Sequence, residues 1–255
     1  MEEMNMYVDR KYRTNLVTDM ESFNVIVKET DLFISVSQGK VNEMMRDKIY
    51  QQIVLLRNEL EEYLKNDPEF GRTLSPYIVK DNAPFIAWEM AKWANQAGVG
   101  PMAAVAGAFA ELIGKYIEEH YSHEVIVENG GDIYLSSQKQ RVIGIFAGDS
   151  LFTNRIGIKI RPHQTPLGVC TSSGTVGPSL SLGRADAAVV LAQSTFLADA
   201  VATAAGNCIQ SPDDFPDTIK FVKKIEGIKG VLLIKGDKMA AWGDIELVPL
   251  NNRTR

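Results

Sequence analysis

Cysteine, histidine and concentrated positive charge are all scarce in this 255-residue chain, and each shortage closes off a class of function. The only cysteines are Cys170 and Cys208, neither in a C-x-x-C pair, which leaves no disulfide framework and points to a reducing compartment. The 27 basic residues face 32 acidic ones, giving a formal charge of −5, and no dense Lys/Arg run is present. Such a surface argues against nucleic acid and against a membrane-surface patch, because both need concentrated positive charge. Long apolar runs are missing as well. The uncharged, mostly apolar stretch over residues 97–110 is interrupted by glycines and a proline and falls short of the roughly 18 residues needed to cross a bilayer. The first residues, Met-Glu-Glu-Met-Asn-Met, carry acid where an export signal needs basic charge before an apolar run, so a cytoplasmic location is expected.

What the chain does contain is ample core-forming sequence. Apolar residues make up 45% of it. At this length a fold can bury about 70–75% of the surface exposed by the unfolded chain, and residues 1–255 read as a single domain. From Phe23 to Ser37 an apolar, β-branched run reads as a hairpin with Thr30 and Asp31 suited to its turn. Residues 39–66 then place apolar side chains three and four apart, predicting a long amphipathic helix that stops at Asp67-Pro68. A connector with three prolines follows (67–84), then helices over about 85–96 and 101–120, the second opening on Pro101. Strands are predicted at 124–128, 132–135, 141–146, 155–160 and 185–192, helices at 195–208 and 212–225, and a closing meander over 230–248. Strands and helices come in runs and not in strict alternation, which predicts an α+β fold. A loose two-halves echo, strands then long helix then strands, suggests an internal duplication. Trp88, Met90 and Trp93 read as core side chains.

Four segments could carry chemistry. Residues 98–103, Gly-Val-Gly-Pro-Met-Ala, fit G-x-G-x-x-A, but a dinucleotide fingerprint must follow a strand so that its turn lays backbone N–H groups on a pyrophosphate. Here a helix precedes, so the stretch reads as a helix-to-helix turn, although N–H groups opening a helix still favour an anion. Residues 127–134 interrupt a strand-like run with Asn-Gly-Gly-Asp, which is either a plain hairpin turn or a turn facing a ligand. Residues 168–174 are nearly all small and end in Thr171, Ser172, Ser173 and Gly174; they form either a loop or a place where a planar ligand can approach the backbone. On the helix 195–208, Asp199 and Thr203 project side by side, with Asn207 on nearly the same stripe. Their neighbours are Ala, Val and Gly, so the Asp199 carboxylate must be paired, hydrogen-bonded or bound to a cation, unless it serves its own helix as a cap.

In this order the last three segments resemble the ApbE-like superfamily, whose best-known members are magnesium-dependent flavin transferases that use FAD to attach FMN to a threonine of a target protein. Glu128-Asn-Gly-Gly-Asp-Ile133 looks like the family's N-x-G-G-D-I turn, Thr171-Ser-Ser-Gly174 like its T-S-G segment, and Ala198-Asp-Ala-Val-Ala-Thr-Ala204 like its A-D-A-x-A-T-A metal helix. Val99 to Gly107, with the Glu-Thr-Asp-Leu hairpin at 29–32, is closer still to an uncharacterised branch found in archaea and anaerobic bacteria; that likeness covers nearly the whole chain. The resemblance implies an α+β fold of mostly antiparallel sheets packed on long helices. It implies Mg²⁺ held by Asp199, Thr203 and the backbone carbonyl of Ala106, a hard cation served by oxygen ligands. It further implies FAD or FMN bound by Asn129, Gly130, Gly131 and Asp132 on the nucleotide side and by Thr171, Ser172, Ser173 and Gly174 on the isoalloxazine side. A flavin nucleotide is the expected partner, joined by a target protein if the chain is a transferase, and a homodimer is compatible with the sequence.

Two departures bear on activity. Where the transferases carry a lysine this chain has Gly107, and where they carry a histidine in an H-x-x-D-P stretch it has Gly177-Pro-Ser-Leu-Ser-Leu-Gly183. Its three histidines, His120, His123 and His163, lie elsewhere. Without a positioned base a threonine hydroxyl is a poor nucleophile, since such assistance is worth roughly 10²–10⁴ in rate. Flavin transfer, flavin-nucleotide hydrolysis and binding without turnover therefore all stay open. So does a sulfur-handling role, if Cys170 and Cys208 border one pocket where donors and a cation lower a thiol pKa.

Overall fold

The computed structural model describes residues 19–175 and 182–250. Strands β1 (Met20–Val27) and β2 (Thr30–Ser37) form the expected hairpin. Its turn falls at Lys28 and Glu29, because Lys28 takes the left-handed φ of 53° that closes a two-residue loop, and Thr30 and Asp31 already belong to β2. Helix α1 (Glu43–Asn66) begins at Asn42, whose side-chain oxygen accepts the Met45 N–H at 2.9 Å, and it buries Met45, Ile49, Ile53, Leu60 and Tyr63. Pro68 then opens a short helix, α2 (Pro68–Arg72), inside the expected connector. The rest of that connector is pinned by side chains. The hydroxyls of Tyr63 and Tyr77 each donate to the Asp67 carboxylate at 2.8 Å, and Asn95 bonds both backbone groups of Tyr77.

Helix α3 (Phe85–Ala97) ends on left-handed Gly98, and a 3-10 turn at Pro101–Ala104 leads into α4 (Val105–His120). The Gly-x-Gly-x-x-Ala stretch is thus the turn between two helices. Gly100 is needed there because a Cβ would stand 2.0 Å from the backbone oxygen of Thr73. Met90 is fully buried as expected and Trp93 partly so, but Trp88 is 49% exposed, with the Lys92 ammonium 5.1 Å from its ring centre.

Nine further strands and two helices follow: β3 (Val125–Asn129), β4 (Asp132–Ser136), β5 (Arg141–Gly144), β6 (Ile156–Ile160), β7 (Leu167–Ser172), β8 (Ala187–Ala192), α5 (Thr195–Cys208), α6 (Phe215–Val222), β9 (Ile228–Lys235), β10 (Lys238–Gly243) and β11 (Leu247–Pro249). They complete an eight-stranded antiparallel sheet in the order β1-β2-β3-β4-β7-β8-β9-β10 and a three-stranded one, β11-β6-β5. The tail therefore does not close as one meander, because β11 leaves the large sheet to pair with β6. Of segment 168–174, open between loop and ligand edge in the sequence, residues up to Ser172 belong to β7, a central strand between β4 and β8.

The large sheet is buried on both faces, so the molecule has three layers. Toward the helices it contributes Val127, Tyr134, Cys170 and Val190; toward the small sheet, Ile126, Leu135, Val169 and Val189. The alternation along β8, all six residues buried, shows why it reads as a continuous apolar run. The order strand pair, helices, strand pair occurs in both halves of the chain, which is what the two-halves echo reflected; element order alone does not establish a duplication. No single helix among the described residues is long and apolar enough to cross a membrane.

Candidate functional site

The β3–β4 turn is two residues long. Asn129 and Asp132 pair across it, Gly130 and Gly131 take φ of 69° and 107°, and the Gly131 N–H donates to the Glu128 carboxylate at 2.8 Å. Period-2 alternation sends Glu128 to one face of the sheet and Asn129 and Asp132 to the helix face. There the Asn129 amide donates to the Ala106 carbonyl at 3.1 Å, in the first turn of α4. The Gly107 N–H, from the same turn, donates to the Asp199 carboxylate at 2.8 Å. The turn motif, the helix-opening segment and the aspartate of α5 are therefore joined in one cluster.

Cys170 lies between them, fully buried, with its thiol directed at the Thr195 carbonyl at 3.5 Å and hydrogen-bonded to Asp132. Burial, and then the neighbouring Asp132 carboxylate, push the Asp199 carboxyl well above its usual range, against the Gly107 and Ala106 N–H groups that favour its charged form. Burial pushes the Cys170 thiol up as well, with Asp132 and Asp199 adding to the effect. Two buried carboxylates this close are an unfavourable pair until positive charge arrives.

Helix α5 is buried along nearly its whole length; the exceptions are Thr203 and Asn207, half-buried on the stripe that starts with Asp199, and the exposed last residue, Cys208. Asp199 itself is buried, and the stripe reaches solvent only from Thr203 onward. Asn207 accepts the Leu182 N–H at 2.8 Å, and Gly206 packs toward Ser172, where an added Cβ would lie 3.3 Å from the Ser172 hydroxyl. Alternation along β7 directs Ser172 to α5, whereas Thr171 lies beside Gly131. Ser173 and Gly174 continue past the strand end, and the Gly174 N–H donates to the Ala185 carbonyl at 2.8 Å. The structure thus brings Ala106, Asn129, Asp132 and Asp199 together, with Thr203 one helical turn beyond Asp199 on α5 and Ser172 against Gly206 of the same helix. Thr171 faces away from α5, and the Ser173 hydroxyl lies near the Thr175 hydroxyl and the Ala185 carbonyl. The segment standing in place of the family histidine, 177–183, lies outside the described residues up to Ser181.

The donor set suits a hard divalent ion. The oxygens on offer are the Asp199 carboxylate and the Ala106 carbonyl, with Asp132 adjacent and the Thr203 hydroxyl one helical turn along α5 from Asp199; the Cys170 thiol beside them is buried and bonded to Asp132. Among the described residues no group of three or more His, Cys, Asp or Glu side chains could hold a metal, so an ion here would depend on hydroxyl, carbonyl and water, as Mg²⁺ accepts.

The thiols do not share a pocket. Cys170 packs on the first turn of α5 and Cys208 ends that helix, with roughly 20 Å of helical rise between Thr195 and Cys208. Thiol labelling of the native protein at neutral pH should modify Cys208 alone, and slowly, since burial and Asp214 push that exposed thiol up; Cys170 should react only on unfolding. Two equally fast modifications would contradict this placement.

Glu111 was not anticipated from sequence. Its side chain, 6% exposed on α4, accepts the Ser194 hydroxyl at 3.0 Å and the N–H groups of Thr195 at 2.5 Å and Phe196 at 3.4 Å, which open α5. The histidines lie away from the cluster. His120 and His123 border a cavity of about 440 Å³ at the end of α4, and His163 borders one of about 410 Å³ beside Arg161 and Glu246.

The family described as AbpE bacteria matches residues 14–219. The chain belongs to this ApbE-like family. A UPF0280 protein of Methanosarcina barkeri is 42% identical over 199 residues, 78% of each chain. Among solved structures, the flavin transferase ApbE of Vibrio cholerae superposes with a TM-score of 0.55 at 14% identity, covering 88% of this chain and 97% of that one. The flavinyl transferase ApbE of Pseudomonas stutzeri, in its apo form, gives 0.55 at 12%, covering 88% and 94%. At those identities the likeness is one of fold, and it agrees with the expected mix of antiparallel sheets and helices.

Proposed function

We propose that this ApbE-like chain binds a flavin nucleotide, FAD or FMN, with Mg²⁺ held by Asp199, Thr203 and the Ala106 carbonyl. The reading is carried by the convergence of the Asn-Gly-Gly-Asp turn, the start of α4 and the Asp199 stripe of α5 on one face of the large sheet. When bound, the ion neutralises phosphate charge. The protein's own part is to hold Asp199 and Ala106 in place through the amides of Gly107 and Asn129. The glycine turn lets a ligand approach the backbone, and Ser172 offers a hydroxyl beside it.

A second reading, transfer of FMN to a target protein, draws on the fold shared with proteins named flavin transferases. Two local features oppose it. No histidine among the described residues stands at the cluster, and a side chain at position 107 would meet the Thr195 backbone oxygen at 2.4 Å, so this backbone has no place for the family lysine. Titrating the protein with FMN, in Mg²⁺ and again in EDTA, tests the main reading. Saturable one-to-one quenching of flavin fluorescence is expected in Mg²⁺ and strong weakening in EDTA. Absence of binding by FAD and by FMN in both conditions would end it. Following FMN release from FAD separates the two readings: sustained Mg²⁺-dependent release favours turnover.

A further inference from the structure

Neither α4 nor α5 caps its own N-terminus. The residue before α4 is Ala104, which has no side-chain acceptor, and Ser194, before α5, makes no capping bond to its own helix. The Val105 N–H donates back to the Met102 carbonyl of the preceding turn, but the next N–H groups of α4 and the first ones of α5 are each taken by a carboxylate from the other helix. Glu111 of α4 receives Thr195, Phe196 and the Ser194 hydroxyl, while Asp199 of α5 receives Gly107 and Ala106. The exchange is possible because the helices touch at Gly107, where a Cβ would stand 2.4 Å from the Thr195 oxygen and 2.8 Å from the Asp199 Cβ. Lys115 secures the outer oxygen of Glu111 at 2.6 Å.

We propose that Glu111 is the positioning residue of the candidate cation site: by holding the first turn of α5 against α4, it fixes Asp199 relative to the Ala106 carbonyl, and the two carboxylates act as one reciprocal clamp. This rests on the Mg²⁺ reading of Asp199 for its functional consequence, but not for the clamp itself. Glu111 is not itself a ligand of the ion. Its influence passes through the helix that carries Asp199, one turn beyond the amides that Glu111 binds.

The test uses the full chain with Glu111→Ala and Glu111→Gln. Amide hydrogen exchange comes first and needs no ligand. In Glu111→Ala the amides of Ala106 and Gly107, on the opposite helix from the lost contacts, should exchange about ten- to hundredfold faster, while the β8 amides of Val189 and Val190 keep their protection. Glu111→Gln retains a side-chain oxygen for the Thr195 and Phe196 N–H groups and should restore most of that protection. The second readout is the Mg²⁺ concentration for half-saturation of FMN binding, which should rise about tenfold in Glu111→Ala and recover in Glu111→Gln, with residual FMN binding in EDTA unchanged. Unaltered Gly107 exchange, or equal acceleration at Val189 and Val190, would overturn the clamp. An unchanged Mg²⁺ requirement alongside faster Gly107 exchange would overturn the positioning role. If the unmodified protein binds no flavin, the Mg²⁺ reading fails by itself and the exchange data still decide the clamp.

Discussion

Asp199→Ala should lower Mg²⁺-dependent FMN binding by at least about 100-fold, and Asp199→Asn should do the same while leaving the fold as stable as before. The two substitutions separate the charge of this side chain from its hydrogen bonds. Alanine removes both, stranding the buried Gly107 N–H, at a cost of about 1–3 kcal/mol in stability. Asparagine keeps an acceptor oxygen for Gly107 and removes only the charge, which burial and Asp132 already disfavour. In metal-free buffer at neutral pH the asparagine variant should therefore melt at or above the temperature of the unmodified protein. The sign follows from linkage. A carboxyl whose folded pKa is raised contributes stability that is present below its unfolded pKa and is lost as pH rises toward the folded value, so the advantage of asparagine should fade on acidification into the usual carboxylate range. Adding Mg²⁺ and FMN should then raise the melting temperature of the unmodified protein and leave that of Asp199→Asn where it was. If Asp199→Asn still gains stability from Mg²⁺ and FMN, the ion is held elsewhere and the site assignment is wrong.

Much of this arrangement was legible in the chain because strong periodicity and the fold's demands coincide. The three-and-four spacing that starts near Val41 becomes α1, and the small-residue run from Thr195 becomes α5 with the limits its sequence implies. The Asn-Gly-Gly-Asp turn kept its position because positive φ at consecutive residues leaves few other sequences. Strand β7 was obscure for a physical reason: Leu-Gly-Val-Cys-Thr-Ser lacks bulk on its helix face. That is what α5 demands, since a Cβ at Gly168 would lie 2.6 Å from the Thr195 Cα. Helix α2 was hidden by the prolines around it, one of which supplies its first turn. Glu111 gave no local sign, because its partners on α5 lie more than 80 residues away and the start of α5 that it serves, Ser194-Thr-Phe-Leu, looks like an ordinary helix opening. Motif order was enough to single out Asp199. What holds Asp199 in place became visible only once the two helices were set against each other.

Gly107→Lys, which installs the residue carried by the family's transferases, should destabilise this protein and not confer flavin transfer. Considered on the helix alone, replacing glycine is favourable, by up to about 1 kcal/mol for alanine and somewhat less for lysine. Contact with α5 reverses the sign. The new Cβ would stand 2.4 Å from the Thr195 backbone oxygen and 2.8 Å from the Asp199 Cβ, and a backbone atom cannot swing aside as a side-chain tip can. Helix α5 would have to move away by most of an ångström, lengthening the Gly107–Asp199 bond and the bonds from Thr195 and Phe196 to Glu111 together. Overpacking of this kind costs about 1–3 kcal/mol net, and at this chain length each kcal/mol lowers the melting temperature by about 2–4 °C. Gly107→Ala isolates the effect, because it adds the clashing Cβ and nothing more; it should account for most of the loss seen with lysine. FMN binding in Mg²⁺ should weaken in both variants, because the same displacement carries Asp199 away from the Ala106 carbonyl. Thermal melts of the two variants check the packing. A lysine variant that keeps its melting temperature would mean that α4 and α5 tolerate a side chain where they cross, and the loss of the lysine would then no longer count against transfer.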